Sequence, residues 1–341
     1  MELTLRDGRW VAAGAAVTPR PRRVRLLEWL LPWAARLRGG YFRYGVERPV
    51  CRAIHGAAAR GTLYRFAPPP PLTLVRRGRG RWRADEYRFR SPFVSHIAPR
   101  NQAYLRHYRS GPRARGIVIL NHGSGCFAAF LEGEFIARLL TAGLDVALLA
   151  APGFYRRRHR HDLRRQWAAT VGAALSAMVQ LVHDDVAVEA WARGLGYRVV
   201  AVSGIGIGGT VAAVAASTSA RFDACVPMLA GAHPGRLWLP PRILARAVHR
   251  RALARAGVRR GRTLARLFDP VAPARFARPQ GRRPCTVVGL RADTLVLAAD
   301  VADLAAHWRV VPVWLPRCHV ELPACTGDLA AIVARTVLRA A

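Results

Sequence analysis

Five residues in the middle of the chain stand where a nucleophile would be expected. Gly204-Ile205-Gly206-Ile207-Gly208 fits the frame Gly-x-Ser-x-Gly, in which a sharp turn between a strand and a helix lifts a hydroxyl into a pocket. Both outer glycines are present, but the central position is Gly206, so the attacking hydroxyl is missing. Two residues further on could serve the same chemistry: Asp293, just past a short apolar run, and His319, just past another. A histidine takes the proton from a hydroxyl or water, and a carboxylate orients the imidazole and stabilises its charged form. The alternatives stay open: His319 could be an ordinary loop histidine, Asp293 a turn-former, and Asp300 and Asp303 compete for the acid's place.

Without a hydroxyl at Gly206, acyl-enzyme chemistry by the usual route cannot start. Ser124 and Cys126 are the alternative nucleophiles, and Cys126 stands near an expected helix N-terminus, which would lower its thiol pKa. Ser203 falls at the end of a buried strand and should not share the turn's tip. Gly204, Gly206 and Gly209 also echo a dinucleotide-binding loop, but no acidic residue follows a second strand at the required distance, so no cofactor is expected. His159, His161 and Asp162 lack a further ligand close by, so no metal is expected either.

These residues need a scaffold. From Gly116 onward, apolar runs alternate with helical stretches at βαβ spacing, which predicts an α/β fold with a mostly parallel central sheet and flanking helices. Strands are expected at 116–121, 145–150, 199–205, 223–230, 284–290 and 310–315, with a long helix ending near Arg193 and a closing helix from Asp328 to Arg339. A basic helical insert at about 232–281 precedes the last two core strands, where a lid would sit. Residues 1–80 read as an N-terminal helical extension and Pro-rich linker, and 81–341 as the main domain. In the extension, 23–38 is an amphipathic helix divided by Pro32, suited to packing or to a membrane surface.

The net charge is +34, from 54 basic and 20 acidic residues. Every basic residue is arginine, and the arginines are spread along the chain. That distribution points to codon bias and a solvated surface. It argues against nucleic acid as the main partner, while peripheral contact with an anionic membrane stays open. Six cysteines without paired spacing read as free thiols. With no apparent secretory signal or apolar run long enough to span a bilayer, a cytoplasmic protein is expected.

With its elbow, its His122-Gly123-Ser124-Gly125 loop and its Asp293 and His319 in that order, the chain resembles the α/β-hydrolase superfamily from Gly116 onward. Within it, the Gly-rich elbow and the His319-Val320 pair resemble the branch known as α/β-hydrolase domain-containing protein eighteen. The resemblance implies that Asp293 and His319 are the acid and histidine of a triad, with Gly206 at the nucleophile position. It also implies an oxyanion hole from the backbone N–H of Ile207 and one from Gly123 or Ser124. Two functions follow as expectations. One is a degenerate hydrolase that binds a small acyl-type ligand. The other is an esterase-like enzyme using an unorthodox nucleophile, or water activated by His319.

Overall fold

The structure, a computed structural model, describes residues 3–6, 9–12, 42, 44–78, 84–123, 131–158, 168–238, 254, 257–258, 261–279 and 283–341. Its centre is built from strands with no polar face. β6 (Gly116–Asn121), β7 (Leu144–Leu149) and β8 (Val200–Ile205) are buried at every position, as expected of parallel strands covered by helices on both sides. β9 (Ala224–Met228), β10 (Val288–Leu290) and β11 (Val313–Leu315) continue the parallel sheet. On the other side, β5 (Gln102–Tyr108), β4 (Ala84–Arg90) and β3 (Thr73–Arg76) are antiparallel. There β4 mixes buried and exposed positions, with Glu86 and Phe89 buried and Arg88 and Arg90 exposed.

Two short strands near the N-terminus, β1 (Leu3–Arg6) and β2 (Arg9–Ala12), extend the far edge, β1 lying parallel to β11. Among the described residues the order is β2-β1-β11-β10-β9-β8-β6-β7-β5-β4-β3. Residues 1–80 therefore supply three strands as well as helix α1 (Arg48–Ala59). Sequence reading missed those strands because each is only four residues long, too short for a periodic signal. The amphipathic stretch at 23–38 lies outside the described residues.

The helices follow from local chemistry. α2 (Ile136–Thr141) follows β6 and packs on β7. α3 (Val171–Gly194) starts at Thr170, whose hydroxyl accepts the N–H of Ala173 at 2.9 Å as an N-cap. It is long and apolar enough to cross a membrane, yet its most apolar stretch is wholly buried inside the protein. α4 (Ile207–Thr218) leaves β8 through Gly206 with no side-chain cap. Of the insert at 232–281, α5 (Gly261–Leu267) and short 3-10 turns are described. α6 (Ala298–Trp308) links β10 to β11, and α7 (Thr326–Leu338) closes the chain. In α7, Leu329, Ile332, Val333 and Val337 form the buried stripe of an amphipathic helix.

Candidate active site

β6, β8, β10 and β11 run parallel, and the loops leaving their C-terminal ends carry the residues singled out in the sequence. At the end of β8 the chain must turn sharply and start a helix against β6 and β9, and the glycines show how closely it packs. A Cβ on Gly208 would lie 2.3 Å from the carbonyl oxygen of Asn121, and one on Gly209 would lie 2.5 Å from that of Met228. On Gly204 it would meet the backbone of Gly208 at 2.4 Å. None of these three positions admits a side chain.

Gly206 differs. Its backbone sits at φ 59° and ψ −118°, a region that residues with a side chain occupy only under strain. A Cβ added there would meet nothing within 4 Å. Its N–H donates to Met228 O at 2.9 Å, and its carbonyl accepts from the Thr210 N–H at 3.0 Å and from the Thr210 hydroxyl at 3.4 Å, which fixes the turn. A side chain at this position would enter open space.

The acid and the histidine are together. His319 Nδ1 lies 2.9 Å from Asp293 Oδ2, and both residues are buried. The other oxygen, Oδ1, accepts the N–H groups of Leu295 and Val296 at 2.7 and 3.0 Å. The carboxylate is thus held from behind and can only accept, so the Nδ1 proton belongs to His319 and Nε2 is the basic nitrogen. Asp300 and Asp303 are engaged elsewhere: Arg236 Nη1 approaches them at 3.4 and 2.7 Å. Ser203 is fully buried and donates to Val226 O at 2.7 Å, so it is a satisfied strand residue.

On the β6 side, His122 has both ring nitrogens committed to backbone. Ala151 N–H donates to Nε2 at 3.1 Å, which leaves the proton on Nδ1, and Nδ1–H donates to Gly123 O at 2.8 Å. Its ring stands nearly perpendicular to Phe154 and Tyr155, with centroids 4.9 and 5.4 Å away. Burial pushes its pKa below the ordinary histidine value, and the neutral ring ties the loop after β6 to the loop after β7. Gly123 and Ile207 both line a small apolar cavity beside the elbow. Ser124 and Cys126 lie outside the described residues, as do His159, His161 and Asp162. Burial raises the thiol pKa of Cys51, Cys225, Cys285 and Cys325, which leaves these thiols unreactive at neutral pH.

Behind the site lies a polar layer that sequence reading missed. Arg157, fully buried, reaches Asp184 Oδ2 at 2.7 Å and also donates to the carbonyls of Ala150 and Arg100. Ser91 Oγ donates to the other Asp184 oxygen at 2.6 Å. Asp185, on the next step of α3, faces Asn121 Nδ2 at 2.8 and 3.0 Å. Burial pushes the Asp185 pKa well above the usual carboxylate range.

An open, mostly parallel sheet, a strand–glycine–helix elbow, then an acid and a histidine after later strands make this the α/β-hydrolase fold. Residues 83–235 match the model of the family described as "Alpha/beta hydrolase domain containing 18". Among solved structures, acetyl xylan esterase 1 from Thermoanaerobacterium sp. JW/SL YS485 is similar, with a TM-score of 0.56 and 13% identity over 84% of this chain and 93% of that one. An acetyl xylan esterase from Paenibacillus sp. R4 gives 0.55 at 13% identity over 84% and 95%. An esterase from Pyrobaculum calidifontis gives 0.53 at 14% identity over 94% and 99%. Such identities carry the α/β-hydrolase fold and nothing about substrate. No curated protein sequence matches the chain.

Proposed function

We infer that this α/β-hydrolase has lost acyl-enzyme chemistry and binds a small acyl-type ligand at the retained site. The observation that carries the reading is Gly206: a nucleophile's backbone geometry, open space where the side chain would be, and no hydroxyl. An ester carbonyl can still be received by backbone N–H groups at Ile207 and the loop after β6, since those donors do not depend on the side chain at 206. Covalent capture of the acyl group cannot follow, because the atom that would form the bond is absent.

A second reading rests on the Asp293–His319 pair, whose 2.9 Å contact and doubly anchored carboxylate are the features that orient a general base. In that reading His319 activates water directly, and the ester is cleaved in a single displacement. One assay tests both. Purified protein is incubated with short-chain esters, and binding and product release are followed together. Saturable binding without turnover is the expected result. Turnover that His319→Ala abolishes would overturn the binding reading in favour of the second.

A further inference from the structure

Tyr155 stands at φ 48°, a left-handed conformation that a bulky residue adopts only where its surroundings impose it. Its contacts show what imposes it. The hydroxyl donates to Glu132 Oε1 at 2.6 Å, and the other oxygen of that carboxylate accepts from Arg106 Nη1 at 2.5 Å. The Arg106 guanidinium also lies over the Tyr155 ring, 5.2 Å from its centroid. Glu132 belongs to the turn Leu131–Phe135 that leads into α2, and Arg106 to β5. The clasp thus ties the loop after β7 to two other segments. Burial and the Glu132 carboxylate raise the phenol's pKa, so the hydroxyl stays a donor.

The left-handed turn decides where the ring goes. Phe154 is extended, at φ −121° and ψ 161°. Successive side chains of an extended chain point to opposite sides. Yet the rings of Phe154 and Tyr155 both meet the imidazole of His122, at interplanar angles of 82° and 89°. The positive φ at Tyr155 swings its ring to the side that Phe154 already occupies. His122 in turn holds Gly123 O through Nδ1–H, which fixes the plane of the peptide leaving Gly123. Contacts therefore run without a break from Arg106 through Glu132, Tyr155 and His122 to Gly123. We propose that Tyr155 is a positioning residue, whose hydroxyl, anchored on Glu132, sets the His122–Gly123 loop to receive a ligand's carbonyl. This rests on the acyl-binding reading above.

The test uses full-length Gly206→Ser and a fluorophosphonate. The introduced hydroxyl attacks phosphorus, its proton passes to His319 and fluoride leaves, while a phosphonyl oxygen takes the place of an ester's carbonyl oxygen. The labelling rate therefore reads the alignment of the loop. Tyr155→Phe, Glu132→Ala and Glu132→Gln are each added to Gly206→Ser, and rates are followed by intact mass well below every melting temperature. Tyr155→Phe keeps the ring and loses the hydroxyl, whereas Glu132→Gln keeps an acceptor for it. Tyr155→Phe and Glu132→Ala are expected to label about tenfold more slowly, and Glu132→Gln to stay within about threefold of Gly206→Ser, as a small misplacement of a binding group would give. A contact that served stability alone would lower the melting temperature and leave the rate unchanged. Tyr155→Phe and Glu132→Ala labelling at the rate of Gly206→Ser would overturn the positioning role and leave acyl binding intact. Equal slowing by Glu132→Gln and Glu132→Ala would also overturn it, since the carboxylate's charge and not the hydroxyl's anchor would then matter. No labelling of Gly206→Ser itself would overturn the acyl-binding reading, and the positioning role with it.

Discussion

The two halves of the site have been treated differently. At Asp293 and His319 every partner is in place: one carboxylate oxygen on the imidazole, the other on two backbone N–H groups. At the elbow the backbone is equally well defined, with three glycines packed against the carbonyls and backbone of their neighbours, yet the tip carries no side chain. The two therefore differ in chemistry and not in architecture. Gly206 also removes the strain that a serine would suffer at φ 59°.

That contrast can be broken at several points. The largest effect is expected at the packed glycines. Gly208→Ala would drive a methyl into Asn121 O and should cost about 3 kcal/mol or more, read as a fall in the urea midpoint. If Gly208→Ala is as stable as wild type, the close approach at the elbow is wrong. A loss of similar size is expected behind the site. Arg157→Met leaves Asp184 as a buried carboxylate without its cation and should cost about 3–5 kcal/mol. Gly206→Ala should cost less than either, about 1–3 kcal/mol of backbone strain, because its methyl meets nothing.

The smallest expected effect is a dependence on pH. The folded-state pKa of Asp185 is raised, so the unfolded chain loses its proton first as pH climbs through the ordinary carboxylate range. Stability from this group is full below that range and declines as pH rises toward the folded value. Asp185→Asn should flatten the decline and raise the melting temperature at neutral pH relative to wild type. An unchanged difference between the two proteins from pH 4 to pH 7 would rule this out.

Much of the arrangement was legible in the sequence, and the reasons differ by residue. The runs that became β6, β7 and β8 are wholly apolar or nearly so, and burial on both faces leaves that signature. The elbow was legible because its glycines are demanded by contact. Asp293 could be found by its order in the chain, but not separated from Asp300 and Asp303. The long-range contacts separate them: His319 meets Asp293, while Arg236, more than sixty residues away in sequence, engages Asp300 and Asp303. The Arg157–Asp184 and Asn121–Asp185 contacts were invisible for the same reason, since each joins a loop or strand to a helix whose sequence reads as apolar core. His122 could be read as part of the loop after β6. Its fixed neutral state depends on the N–H of Ala151, a residue 29 positions away.

The most direct test of a site intact except for one hydroxyl is to restore that hydroxyl. Gly206→Ser is treated with a fluorophosphonate, beside wild type and a Gly206→Ser, His319→Ala double variant, and intact mass is measured. The expected result is a single adduct on the introduced serine of the first protein and none on the other two. An adduct on wild type would contradict the loss of the nucleophile, and no adduct on Gly206→Ser would contradict the retained geometry.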